Sequence, residues 1–76
     1  MNVITRTVDA RGQSCPGPLV ALAKALRHAE RGDLLELLAT DPGSKSDVPS
    51  WSKLTGNDLV ETDEREGTFR YVIRRT

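Results

Sequence analysis

Residues 9–22 read Asp9-Ala10-Arg11-Gly12-Gln13-Ser14-Cys15-Pro16-Gly17-Pro18-Leu19-Val20-Ala21-Leu22, and within them a strand-type pattern gives way to a helical one. Upstream, Val3 to Val8 is rich in β-branched residues and predicts a strand. Downstream, Leu19, Leu22, Leu26 and Ala29 recur at steps of three and four, the spacing of one apolar helix stripe. Pro18 suits the first helical turn, where no N–H donor is required and φ is already helical. Pro16 biases Cys15 towards extended backbone, which puts the thiol just outside the helix. A helix N-terminus carries unpaired N–H groups that favour negative charge, and thiolate is the nucleophilic form of cysteine. Cys15 therefore reads in two ways. It is a reactive thiolate at a helix mouth, or a buried core residue beside a proline-marked helix start.

Working outward, Gly32 is expected to stop the first helix. Leu34 to Ala39 is a short apolar run that predicts a well-covered strand. Asp41-Pro42-Gly43 signals a turn, and Ser44-Lys45-Ser46-Asp47 has the form of a capping box opening a second helix. Pro49 falls close to that start, so Asp47 is an equal candidate for the cap. Trp51 and Leu54 are expected apolar anchors, and Gly56 ends the element. Asp58 to Asp63 and Thr68 to Arg74 predict two strands joined by Glu64-Arg65-Glu66-Gly67. In the last strand Phe69, Tyr71 and Ile73 share one face, opposite Arg70, Val72 and Arg74.

The order β-α-β-α-β-β predicts an α/β (α+β) two-layer sandwich, with two helices on one face of a four-stranded mixed sheet. If the first two strands are parallel, both helices start at the same sheet end. The turn at Asp41 to Ser44 then lies near Cys15, at the end where open α/β sheets tend to bind ligands. Leu34 and Leu38 face away from Leu35 and Leu37. They form either an apolar patch for a partner or isolated residues edged by charge.

With 76 residues the chain is expected to form a single domain over 1–76, near the lower limit for a core without disulfides or metal. Eleven basic residues balance 11 acidic ones, which argues against bulk nucleic-acid binding without excluding a local basic patch. No apolar run approaches the roughly 20 residues that span a bilayer, and no signal-peptide pattern opens the chain. One unpaired cysteine without an export signal suggests a reducing, cytoplasmic setting.

The stretch from Asp9 to Pro18 also resembles the N-terminal signature of the TusA/SirA family: Asp, two residues, Gly, two residues, then Cys-Pro-any-Pro. The likeness continues through Gly32-Asp33, Thr40-Asp41-Pro42-Gly43-Ser44, Asp47, Pro49, Trp51 and Thr55-Gly56 to Phe69-Arg70-Tyr71-Val72-Ile73. Two positions depart from it. Gln13 stands where the family mostly has Leu, and Ser52 where some members carry a second cysteine. The resemblance implies a sandwich like the C-terminal domain of translation initiation factor 3. It also implies a sulfurtransferase acting through a persulfide on Cys15, with Gly12, Pro16, Gly17 and Pro18 shaping the loop. The implied donor is a cysteine desulfurase or rhodanese. The implied acceptor is a relay protein or a tRNA-thiolation enzyme, in tRNA thiolation, sulfur oxidation or related sulfur or selenium metabolism.

The residues themselves permit little other chemistry. One Cys and one His cannot supply a four-ligand zinc site, and neither a metal nor a cofactor is expected. His28 lies 13 positions past Cys15, mostly along helix at ~1.5 Å per residue, well over ~10 Å away. It reads as a solvated helix residue, not a catalytic partner. Asp9 and Asp41 sit near strand ends as either general bases or turn acceptors, the latter being the commoner role. Trp51 reads as core. Lys24, Arg27 and Arg31 fall on one side of the first helix, as a partner-docking strip or as a solvated face. Arg11, Lys24, Arg27, Asp41 and Lys45 are the candidate thiolate or partner contacts.

Sulfur carriage needs no more than one thiolate, because exchange at sulfur follows thiolate fraction and leaving-group pKa. Helix-end stabilisation of an anion, about 0.3–1 kcal/mol and up to about 2 when partly buried, favours the thiolate by roughly tenfold. Two other functions use the same residues. A non-catalytic RNA- or protein-binding module would rest on the basic strip. A thiol switch would be glutathionylated or would dimerise through Cys15.

Overall fold

The computed structural model of the protein describes residues 3–14 and 16–76; Cys15 lies outside the described residues. Six elements follow in order: β1 (Ile4–Ala10), α1 (Gly17–Arg27), β2 (Leu34–Ala39), α2 (Ser44–Thr55), β3 (Asp58–Arg65) and β4 (Thr68–Arg74). The strands form one mixed sheet in the order β1-β2-β4-β3. β1 pairs parallel with β2, while β4 runs antiparallel to both β2 and β3. The expected sandwich of two helices on a four-stranded mixed sheet is therefore present.

The core lies between the helices and one sheet face. Leu22, Ala25 and Leu26 of α1 and Val48 of α2 pack onto Ala10, Leu35, Leu37, Phe69, Tyr71 and Ile73. Leu19, Ala29, Trp51 and Leu59 close its margin. Each fully buried Leu, Ile or Val contributes about 1.5–3 kcal/mol through its removal from water. Leu54 is not part of this core. Its side chain is 87% exposed, which corrects its expected role as an anchor.

Several boundaries also differ from expectation. α1 ends at Arg27 with His28 as its C-cap, five residues after Leu22 and well short of Gly32. Gly32, at φ +88°, instead donates its N–H to the Arg75 carbonyl at 2.8 Å. Gly43 is the N-cap of α2 and no side chain caps it, so the Ser44 capping box does not form. The Ser44 hydroxyl is buried and pairs with the Tyr71 hydroxyl at 2.8 Å, a partner unavailable to a purely local pattern. Asp47 lies in the first turn, where a carboxylate suits the helix dipole, and Pro49 lies inside the helix.

The β3–β4 connection is tighter than the four residues expected. Arg65 pairs with Thr68, leaving only Glu66 and Gly67 in the turn, at φ +51° and +80°. Positive φ at both positions marks a type I′ hairpin, whose twist matches that of the flanking strands.

The face away from the helices is not an apolar sheet. Thr7 of β1 donates to Glu36 of β2, Arg70 of β4 ion-pairs with Glu36, and Arg70 also pairs with Glu61 of β3. This polar chain crosses all four strands between Leu34 and Leu38. Leu34 itself is buried, so the charged-edge reading of these two leucines is the one the structure supports.

Candidate functional site

Ala10 and Ala39 are register partners at the ends of the parallel strands, so the chain leaves β1 and β2 side by side. After Ala10 it turns through Arg11 and Gly12, with Gly12 at φ +83°. The Gln13 N–H donates to the Ala10 carbonyl at 3.2 Å. The Gly12 N–H donates to Thr40 Oγ1 at 2.9 Å, linking this loop to the β2–α2 connection. On the other side of Cys15, the Gly17 N–H donates to the Ser14 carbonyl at 2.8 Å and Val20 N–H to Pro16 O at 2.9 Å. Pro16 is the N-cap of α1, Gly17 its first residue, and Pro18 is buried in the first turn. The helix thus begins two residues after Cys15 in the chain.

Gln13 bears on the helix mouth. A Cβ on Gly17 would come within 2.8 Å of Gln13 Oε1 and 3.1 Å of Gln13 Cβ. Glycine at this position is therefore what lets the Gln13 side chain fold across the start of α1.

The acidic candidates separate clearly. Asp9 Oδ1 accepts from the Arg11 backbone N–H at 3.1 Å and from Arg11 Nε at 2.9 Å, while Oδ2 accepts from the guanidinium at 2.9 Å. Chiefly through the side-chain hydrogen bond, Arg11 holds the Asp9 carboxyl down to about 2. A carboxylate so held is a poor base near neutral pH. Asp9 is a turn acceptor, and the Arg11 charge is taken up in binding it. Asp41 is half-buried, and its carboxylate oxygen would stand 3.0 Å from a Cβ on Gly43. Its carbonyl accepts the Ser44 N–H at 3.0 Å as the second helix opens.

Lys45, one residue into that helix, faces the hairpin. Its Nζ lies 3.6 Å from Glu64 Oε1 and 5.6 Å from the centre of the Phe69 ring. With Pro49, Thr62 and Tyr71 these residues line an open groove of about 400 Å³ beside the same sheet end. Lys24 and Arg27 occupy the exposed last turns of α1. Because that helix stops at Arg27, Arg31 belongs to the following turn and not to the helix face predicted for it. Among the described residues, Lys24, Arg27 and Arg31 have no ion-pair partner. His28 is the exposed C-cap of α1.

The structure thus gathers Arg11, Gly12, Pro16, Gly17, Pro18, Asp41 and Lys45 at one sheet end, while Lys24 and Arg27 sit further down α1. Thr40 is the residue that sequence reasoning missed. Its signals were a hydroxyl at the end of a strand immediately before Asp41-Pro42-Gly43 and its place in the stretch 40–44 of the family likeness. Among the described residues, no three His, Cys, Asp or Glu side chains converge to hold a metal ion. No helix among them is long and apolar enough to cross a membrane.

Compared with known families, residues 6–75 match the model described as sulfurtransferase TusA. The chain belongs to the TusA family. A relative in Archaeoglobus fulgidus is 43% identical over 68 residues, covering 90% of this chain and 93% of its own. The sulfur carrier protein TusA of Allochromatium vinosum is 39% identical over 69 residues, covering 91% of each chain. The crystal structure of a SirA-like protein from Desulfitobacterium hafniense superposes with a TM-score of 0.79 at 28% identity, covering 91% of this chain and 95% of that one. Ser52 is a buried structural residue here, its hydroxyl donating to the Asn57 carbonyl.

Proposed function

We propose that this protein is a sulfur carrier and that Cys15 is the residue that holds the transferred sulfur. The Cys15 thiolate attacks the outer sulfur of a donor persulfide, R–S–SH. A bond forms between Cys15 Sγ and that sulfur, the donor S–S bond breaks, and the donor leaves as its thiolate. A second thiolate then attacks the outer sulfur of the Cys15 persulfide and releases Cys15 as thiolate. Neither step requires an oxidant or a dedicated base.

Membership of the TusA family is the observation that carries this reading. The local geometry supports it. In the chain, Cys15 comes between a loop fastened to the β2–α2 connection and an α-helix that has Pro18 in its first turn. A helix mouth favours the thiolate before loading and the persulfide anion after it. Gly12, Pro16, Gly17 and Pro18 act as loop-shaping residues, and a desulfurase- or rhodanese-type donor and a thiol-bearing acceptor complete the relay. A cytoplasmic setting suits a free thiol.

A second reading rests on the unpaired Lys24, Arg27 and Arg31, which could hold an acidic protein or RNA without any use of Cys15. One pair of variants separates the two. Under the carrier reading Cys15→Ser abolishes sulfur acceptance from a persulfide donor, with unchanged thermal unfolding. The triple variant Lys24→Gln, Arg27→Gln, Arg31→Gln leaves acceptance at saturating donor intact and slows association at low salt. Under the binding-module reading Cys15→Ser is silent and the triple variant loses its partner.

A further inference from the structure

The loop before Cys15 is held by several short-range contacts and, among the described residues, by one hydrogen bond that reaches a distant part of the chain. Asp9–Arg11, Gln13 N–H to Ala10 O and Gly17 N–H to Ser14 O all close within a few residues. The Gly12 N–H, in contrast, reaches Thr40 Oγ1 across 28 positions of sequence at 2.9 Å. We propose that Thr40 is a positioning residue for sulfur transfer, its hydroxyl seating the Cys15 loop against the β2–α2 connection through the Gly12 N–H. This rests on the reading of Cys15 as the carrier.

The reason for the tether lies in the backbone. Gly12 adopts φ +83°, and glycine leaves both its own conformation and the next residues less restricted than any other residue would. The flanking Arg11 and Ser14 are exposed, and their bonds, to Asp9 and to the Gly17 N–H, are both short-range in sequence. With Gly12 fastened at one end and the Pro16–Gly17 helix start at the other, only Gln13, Ser14 and Cys15 span the gap. Helix-end stabilisation falls off within one turn, so an anion benefits only while its loop is held close. Releasing Gly12 lets the loop sample positions in which that benefit is lost.

Thr40 is exposed at the strand end, so its hydroxyl can be removed with little effect on the core. Thr40→Ser keeps the acceptor, Thr40→Val keeps the shape without it, and Thr40→Ala removes it without valine's second methyl. Because Cys15 is the only cysteine, alkylation by iodoacetamide reports on it alone. The full chain and the three variants are followed from about pH 5 to about pH 10, spanning the range of thiol ionisation, with urea midpoints measured in parallel. The hydrogen bond is of a size that, when lost, changes a conformational population about three- to tenfold. Thr40→Val and Thr40→Ala are expected to slow alkylation near pH 7 by that factor and move the profile to higher pH. Thr40→Ser should stay within about twofold of the parent, with urea midpoints close together. Profiles of the Val and Ala variants superposing on the parent would overturn the proposal, as would a Ser variant that falls as far as they do. Failure of the carrier reading looks different: the Thr40 effect on alkylation would persist while the parent protein took no sulfur from a persulfide donor.

Discussion

Removing either hydroxyl of the Ser44–Tyr71 pair should cost more than the hydrogen bond itself is worth. Ser44 is 2% exposed and Tyr71 3%, and their oxygens lie 2.8 Å apart where α2 opens against β4. A satisfied pair of this kind contributes a net 0.5–1.5 kcal/mol, whereas a buried hydroxyl left without its partner costs about 1–3 kcal/mol. Tyr71→Phe strands the Ser44 hydroxyl, and Ser44→Ala strands the phenol. Each single variant should therefore lose about 2 kcal/mol, which in a domain of this size lowers Tm by roughly 8–16 °C. The double variant strands nothing, so its loss should fall below the sum of the singles by about 1–2 kcal/mol. Urea unfolding of all four proteins gives the cycle directly. Burial also raises the Tyr71 phenol above its ordinary pKa of 10.0. The folded state thus holds this proton more tightly. The resulting stability is complete below pH 10 and is lost as pH rises through the folded value, and Tyr71→Phe should lack that alkaline loss. Single variants within about 0.3 kcal/mol of the parent, or strictly additive losses, would refute the reasoning.

Two further outcomes follow from the same structure. Arg70, by its hydrogen bond, holds the Glu36 carboxyl below its ordinary value of 4.5, so the stability this provides is present above that pH and lost as pH falls through the folded value; Glu36→Gln should flatten the decline in urea midpoint below about pH 4.5. Gly17→Ala should cost about 1–3 kcal/mol, because the new Cβ meets both the mobile Gln13 Oε1 and the Gln13 Cβ, which the backbone holds in place. Adding Gln13→Ala, which removes Oε1 but keeps Cβ, should recover part of that loss, as seen in thermal unfolding; a Gly17→Ala penalty unchanged by Gln13→Ala would contradict the contact.

Much of the architecture was legible because local chemistry and tertiary structure agree at the deciding points. Pro18 and the Leu22–Leu26 spacing located α1, the alternation from Phe69 to Ile73 oriented β4, and Gly56 closed α2 at φ +77°. The misreadings fall where a distant partner outweighs the local signal. Ser44 had the form of a cap, but its hydroxyl is drawn to Tyr71, 27 residues away. Gly32 had the form of a helix stop, yet the helix ends earlier. There the Asp33 carboxylate accepts the Glu30 N–H at 2.8 Å, and Gly32 and Asp33 pair with the backbone of Arg75. Leu54 matched an apolar spacing that the end of α2 carries away from the sheet. In the site, the loop residues were legible from their prolines and glycines. The Thr40 tether was not, since nothing in either segment fixes the register that brings Ala10 beside Ala39. Arg11 could be placed but not partnered, and it is Asp9, two residues away, that takes up its charge.

The central claim is that Cys15 accepts sulfur, and intact mass spectrometry tests it most directly. The protein is incubated with a cysteine desulfurase and cysteine, alongside the Cys15→Ser variant. The account predicts a gain of one sulfur atom that reductant reverses and that the variant lacks. No gain with Cys15 resistant to alkylation, or an equal gain in Cys15→Ser, would contradict it.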